Sequence, residues 1–127
     1  MPKLQDILSN PSLNGVYRLA VPAELVPVLD GRGLAGKQRL LTAVGRALDF
    51  PDYYGANWDA LEECLGDLSW RAGPAWLLIR HAGTIPEESR QTLFDIFAQA
   101  AERWAGEGRV FSLFLDGLED ESLPEAD

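Results

Sequence analysis

The sequence predicts an α/β fold in which helices cover a small parallel β-sheet. Its 127 residues, 46% of them hydrophobic, are enough for one domain with one core. Short apolar segments typical of strands alternate along the chain with longer segments of helical periodicity. Because strands that alternate with helices form parallel sheets, this order predicts the fold class.

In the first half of the chain, turn residues separate short elements. Residues 4–8 form a short amphipathic segment, and residues 15–21 alternate weakly and could form an extra N-terminal strand. Residues 25–29 predict a strand that suits a sheet edge, because Pro27 cannot donate a ladder hydrogen bond. A helix is expected over residues 37–48, where leucine and valine recur at spacings of three and four.

In the second half, the elements are longer and their signals are stronger. Residues 58–68 predict a helix, and residues 75–79 form an apolar run typical of a buried strand. A threonine and a glutamate with capping-box spacing predict a helix over residues 84–104, with Thr84 as its N-cap. Residues 110–115 predict the last strand.

The chain is strongly acidic, with 20 Asp and Glu against 11 Lys and Arg and a net charge of −9. A field of this sign repels nucleic acid and attracts basic partners, so direct DNA or RNA binding is disfavoured. The acidic excess is confined to two stretches that contain no basic residue, 47–70 and 116–127. The second stretch has little apolar content, and we expect it to be a frayed, solvated tail.

Cysteine usage and hydropathy indicate the compartment. The single cysteine, Cys64, excludes an internal disulfide and a thiolate zinc cluster, and it suits a reducing environment. No apolar run approaches the roughly 20 residues needed to span a bilayer. The first residues lack the apolar stretch of a secretion signal. We therefore expect a cytoplasmic protein that acts without a membrane, a metal or a cofactor.

The predicted helix over residues 58–68, called the acidic helix below, has two unlike faces. Leucines at three- and four-residue spacing form a core face. The opposite face, called the acidic face below, carries four carboxylates and no basic residue: Asp59, Glu62, Glu63 and Asp67. Like charges four residues apart each destabilise a helix by about 0.2–0.5 kcal/mol, so stability alone does not favour this pattern. One interpretation is an ordinary solvated surface. A surface that binds the cations of a partner accounts better for four charges that are all negative.

The segment from Phe50 to Leu65, Phe-Pro-Asp-Tyr-Tyr-Gly-Ala-Asn-Trp-Asp-Ala-Leu-Glu-Glu-Cys-Leu, resembles the characteristic segment of the barstar family, intracellular inhibitors of barnase-type ribonucleases. The likeness covers residues 25–116 and implies a three-stranded parallel sheet packed against helices. It divides the chain into an N-terminal extension (1–24), a barstar-like domain (25–116) and an acidic C-terminal tail (117–127).

The resemblance also implies a binding edge made of a tyrosine turn and the acidic helix. Glu63 matches the family's central acid, whose carboxylate sits in the phosphate site of the nuclease, and Asp59 matches an acid that faces a guanidinium. A carboxylate on a rigid helix can replace a phosphate among the cations that a ribonuclease gathers. The implied partner-binding residues are Tyr53, Tyr54, Gly55, Asn57, Trp58, Asp59, Glu62, Glu63, Asp67 and Gln99.

Three positions depart from the family pattern. Glu63 stands where barstar has the shorter aspartate, Glu62 replaces an interface tryptophan, and Gln99 replaces an interface glutamate. The resemblance therefore implies the binding mode, while barnase itself need not be the target.

Other features of the sequence could carry a different function. Residues 31–36 spell G-x-G-x-x-G, but no acid ends a strand about 20 residues further on, so a flexible loop is favoured over a dinucleotide site. His81 has no Asp or Cys partner nearby and is expected in a loop, and Cys64 falls on the core side of the acidic helix. Asp59 and Glu63 could form a hydrolytic carboxylate pair, but a convex helix face supplies no cleft.

The sequence thus predicts a stoichiometric inhibitor of a basic ribonuclease that blocks the active site of the enzyme. The resemblance implies an antitoxin or immunity role in the bacterial cell that makes the toxin, for a protein that is monomeric when free and is not an enzyme. The alternative is a barstar-like interaction module that binds another basic enzyme without inhibiting a ribonuclease.

Overall fold

The computed structural model describes residues 2–127, which form one β-sheet and four α-helices. The strands are β1 (Gly15–Leu19), β2 (Val28–Asp30), β3 (Ala75–Arg80), β4 (Phe111–Leu115) and β5 (Glu125–Ala126). The helices are α1 (Leu4–Ile7), α2 (Lys37–Ala47), α3 (Trp58–Asp67) and α4 (Glu87–Gly106). Single 3-10 turns precede β1 and α4 at Pro11–Leu13 and Ala82–Thr84. None of the helices in this part of the chain is long and apolar enough to cross a membrane.

All five strands pair in parallel, in the order β2-β3-β4-β1-β5. The three strands expected of the sheet are β2, β3 and β4, and β1 is the extra N-terminal strand that the weak alternation allowed. The predicted α/β fold with a parallel sheet packed against helices is therefore confirmed. Because β1 and β5 join the same sheet, the sheet extends beyond residues 25–116. The division of the chain into an extension, a domain and a tail stays a prediction.

The main core lies between one face of the sheet and the helices α2, α3 and α4. Leu77 and Ile79 of β3 and Leu113 of β4 are fully buried there, because alternate side chains of a strand point to the same face. Leu61 of α3 and Phe97 of α4 pack into the same cluster. The acidic helix is thus held on the molecule by its apolar face, and its other face is left to solvent.

The opposite face of the sheet carries a second, smaller core. Leu78 of β3 and Phe114 of β4 point to this side, and Tyr17 of β1 stacks on Phe114 with ring centroids 6.2 Å apart. Ile7 of α1 and Ala126 of β5 complete the cluster. The two ends of the described chain therefore cover a sheet face that β2, β3 and β4 alone would leave exposed.

The prediction of a frayed acidic tail is wrong. The backbone N–H of Arg18 donates to the carbonyl oxygen of Pro124 at 2.8 Å, and that of Ala20 donates to the carbonyl oxygen of Ala126 at 2.9 Å. Ala126 is fully buried, and Arg18 forms an ion pair with Glu125 at 3.2 Å. The end of this charged stretch is ordered because it contributes one apolar side chain, one ion pair and the hydrogen-bond partners that the edge of β1 needs.

Two predicted boundaries also move. The edge strand begins only at Val28, one residue after Pro27, which lacks an N–H. Thr84 is not an N-cap, because its hydroxyl donates to the carbonyl oxygen of His81 at 2.7 Å within the 3-10 turn. A proline takes the cap position instead, and α4 begins at Glu87. The hydroxyl makes a local hydrogen bond that competes with the capping box.

We expect Ala126→Asp to lower the free energy of unfolding by about 2–4 kcal/mol, because it places an unpaired carboxylate in the second core. Urea unfolding followed by circular dichroism measures the change. Glu121→Ala, at an exposed position of the same acidic stretch, is the control and should change stability by less than about 0.5 kcal/mol. Equally small effects of the two substitutions would mean that the tail is frayed after all.

Candidate functional site

The acidic helix is α3, and its first turn is closed by a side-chain cap. Asn57 Oδ1 accepts a hydrogen bond from the backbone N–H of Ala60 at 2.8 Å. Asp59 lies in the same turn, where a carboxylate interacts favourably with the helix dipole. Leu61 and Leu65 are fully buried. The cap and the buried leucines together set the rotation of the helix and hence the direction in which the acidic face points.

The acidic face is exposed over its whole length. Its four carboxylates border one shallow depression, whose lining residues are Asp59, Glu62, Glu63, Gly66, Asp67 and Arg103. Among residues 2–127, none of the four carboxylates lies within 4.0 Å of a basic group. The face therefore presents negative charge that no direct ion pair compensates, as a surface that receives cations requires.

One basic side chain nevertheless reaches this depression, and sequence reasoning missed it. Arg103 projects from α4, and its Nη1 atom lies 3.0 Å from the position that a Cβ atom on Gly66 would occupy. The acidic helix itself has no basic residue, as predicted, but its neighbour places a guanidinium on the same surface. The only hint in the sequence is a glycine in the middle of a helix, because glycine is unfavourable there unless something needs the space.

The two tyrosines of the turn before α3 have different environments. Tyr53 is 70% exposed, and its hydroxyl lies 3.5 Å from Asp67 Oδ2, so it adjoins the acidic face. Tyr54 is half-buried, and its hydroxyl donates to the carbonyl oxygen of Leu41 at 2.9 Å. Burial raises the pKa of Tyr54 to about 12. Tyr53 is free to contact a partner, whereas Tyr54 joins the turn to α2.

The remaining predicted residues lie in the turn before α3, at the start of α3 and on α4. Gly55 and Asn57 are exposed in the turn, and Trp58 is partly buried against the main core at the start of α3. Gln99 is exposed on α4 and lines a second depression that shares Glu62, Gly66 and Arg103 with the first. The structure thus brings Asp59, Glu62, Glu63, Asp67 and Gln99 together around two adjoining depressions, with Tyr53 beside Asp67. Tyr54 instead lines a different depression, which α2 borders.

The alternative sites considered from the sequence have structural explanations. A Cβ atom on Gly31 would lie 2.6 Å from the carbonyl oxygen of His81, so close backbone packing explains the first glycine of the G-x-G-x-x-G run. His81 does have a partner, contrary to expectation: its Nδ1 lies 3.2 Å from Asp30 Oδ1, since parallel pairing places the ends of β2 and β3 together. Cys64 is buried, and burial with the nearby Glu63 carboxylate raises the pKa of its thiol, which disfavours a nucleophile.

Comparison with known proteins identifies relatives of this chain. The model of the family described as Barstar (barnase inhibitor) matches residues 25–116. The Bacillus subtilis (strain 168) protein YrdF, whose name marks it as a candidate ribonuclease inhibitor, is 29% identical over an alignment of 86 residues. The match covers 65% of this chain and 92% of that protein. The family match includes the tyrosine turn and the acidic helix.

We expect Tyr54→Phe to lower the free energy of unfolding at pH 7 by about 0.5–1.5 kcal/mol, because the carbonyl oxygen of Leu41 loses its donor. The raised pKa of Tyr54 means that folding favours the neutral phenol, so its contribution is complete below pH 10 and is lost as pH rises from about 10 to 12. Tyr54→Phe should therefore also reduce the alkaline loss of stability, measured by urea unfolding across that range. Tyr53→Phe, at the exposed position, is the control at pH 7 and should change the free energy of unfolding there by less than about 0.5 kcal/mol.

Proposed function

The chain belongs to the barstar family, and we propose that it is a stoichiometric inhibitor of a ribonuclease, which covers the active site of the enzyme with the acidic face and the tyrosine turn. The observation that carries this proposal is the set of four exposed carboxylates on one rigid helix, none of them in an ion pair within residues 2–127. The name of the Bacillus subtilis relative supports a ribonuclease as the class of target.

The chemistry of RNA cleavage explains why such a face fits. A ribonuclease must surround the scissile phosphate with cationic and hydrogen-bonding groups that stabilise the charge of the transition state. Carboxylates held on a helix meet the same cations with charge-assisted hydrogen bonds and occupy the space of the substrate. Because none of these carboxylates forms an ion pair within residues 2–127, binding a cationic site breaks no ion pair in that part of the inhibitor.

Within this proposal the residues have different roles. Glu63 lies between Asp59 and Asp67 along the acidic face, one helical turn from each, and supplies the carboxylate that replaces the phosphate. Asp59, at the N-terminal end, meets a guanidinium of the enzyme. Tyr53 supplies an exposed aromatic surface beside the carboxylates, which suits contact with the rim of an active site.

The proposed biological setting follows from this activity. A cell that makes a secreted ribonuclease needs an inhibitor in its own cytoplasm, so the chain acts there as an antitoxin or immunity protein. It is a monomer when free, it uses no cofactor, and it has no catalytic role of its own.

A second candidate function is a barstar-like module that binds another basic enzyme. Two substitutions relative to the family pattern favour it. Glu62 and Gln99 replace two interface residues of the family, and both line the second depression. These changes alter the contact surface without removing its net negative charge. Only the identity of the bound enzyme separates the two candidates.

Titration of the chain into assays of basic ribonucleases, barnase included, tests the proposal. We expect the activity of the target enzyme to fall linearly and to reach its minimum at one equivalent, because one acidic face fills one active site. Full activity of every ribonuclease at several equivalents would reject inhibition and leave the interaction module.

We expect Glu63→Gln to weaken binding to the inhibited ribonuclease by roughly 30-fold or more, mostly through faster dissociation, because the buried cations of the enzyme lose their counter-charge. The corresponding cost is about 2–5 kcal/mol for truncating one member of a buried charge pair, a range for which the barnase–barstar complex is itself a reference case. Surface plasmon resonance at one fixed salt concentration measures both rate constants.

The matched control for this experiment is Glu121→Gln, which removes one carboxylate far along the chain from the acidic face. It should change affinity by less than about threefold, as an uninvolved surface charge does. If both variants lose affinity equally, binding is diffuse charge attraction and Glu63 is no phosphate mimic.

A further inference from the structure

We propose that Arg103 is a specificity-determining residue of the acidic face, and that it rejects partners that place a cation opposite Gly66. The partner that fits presents cations to the four carboxylates and a carboxylate to Arg103. This inference rests on the proposed function, because it assigns the charge pattern of the enzyme surface that the acidic face covers.

The position of Arg103 is the first observation. Arg103 and Gly66 line both depressions described above. The four carboxylates of the acidic face border the first depression, and Gln99 borders the second. Its Nη1 atom lies 3.0 Å from the point where a Cβ atom on Gly66 would stand. The guanidinium therefore lies directly against α3, on the surface that a partner must touch.

The lack of an internal partner is the second observation. Over residues 2–127, Arg103 donates no hydrogen bond within the chain, and no carboxylate lies within 4.0 Å of it. It is exposed, unlike Arg18, which is half-buried and paired with Glu125. Its donors are thus free, although four carboxylates line the same depression.

These two observations determine how a partner is selected. A cation brought against Arg103 at a dewetted interface is repelled, and such like-charge contacts are a general means of excluding wrong partners. A carboxylate at the same point accepts two parallel hydrogen bonds from the planar guanidinium. Arg103 thus converts a surface that would attract any cationic patch into one with a mixed charge pattern.

Charge substitutions at Arg103, with barnase as the basic ribonuclease probe, test the inference. We expect Arg103→Gln to bind barnase more tightly than the unaltered chain, and Arg103→Glu to bind it at least tenfold more tightly. Arg39→Gln and Arg39→Glu are the matched controls, because Arg39 is an exposed arginine on α2 that lines a different depression. They change the net charge equally and should alter barnase affinity by less than threefold.

The result that overturns the inference is an Arg103→Glu chain that binds barnase as tightly as Arg39→Glu, within threefold. Weaker binding by Arg103→Glu than by Arg39→Glu would show that barnase presents a carboxylate to Arg103 and would support its role in the choice of partner. No binding by any variant at 10-fold the highest concentration used for inhibition would overturn the inference, because removal of Arg103 would then not admit a basic partner. Thermal unfolding of each variant verifies that the fold is kept. The inhibitor proposal is decided separately, by the unaltered chain against the ribonuclease panel, so the two can fail independently.

Discussion

The C-terminal end of the acidic face is held in place by one hydrogen bond, from the indole N–H of Trp104 to the carbonyl oxygen of Leu65. The bond is 2.8 Å long and buried, and it joins the last turns of α3 and α4. The Arg109 guanidinium lies 4.9 Å from the Trp104 ring centroid and donates to the carbonyl oxygens of Leu68, Arg71 and Gly73. These contacts fix the end of α3 and the loop after it, as Asn57 fixes the beginning. Charged carboxylates do not pack into a core, so contacts on the opposite side of the helix set the direction in which the acidic face points.

The features that the sequence predicted well are those with local causes. The acidic helix and its two faces follow from the spacing of leucines behind Asn57, and β3 and β4 follow from short apolar runs. The features that it missed are contacts between distant parts of the chain. The partner of His81 is Asp30, brought close by strand pairing, and Ala126 is buried by a core to which Ile7 also contributes. Periodicity and charge count within a segment contain no information about such contacts.

The tyrosine turn shows the same limit at a single residue. Tyr53 and Tyr54 are adjacent and chemically identical, so nothing in their own sequence separates them. The difference comes from Gly45 on α2, where a Cβ atom would lie 2.5 Å from the Tyr54 ring, and from Phe50, whose ring packs edge-on at 4.8 Å. A small residue on another helix thus makes one tyrosine an anchor of the turn and leaves its neighbour exposed.

Gly66 and Arg103 connect stability with recognition in this fold. A glycine within a helix costs about 1 kcal/mol relative to alanine, and like charges along the acidic face add to that cost. Alanine at this position would relieve the first cost, and its methyl group would shift the exposed end of the Arg103 side chain by a few tenths of an ångström. The cap and the buried leucines hold the helix in place despite these local costs. Because Arg103 projects from α4 into the depression that the acidic face borders, the charge pattern offered to a partner is a property of two helices rather than of one.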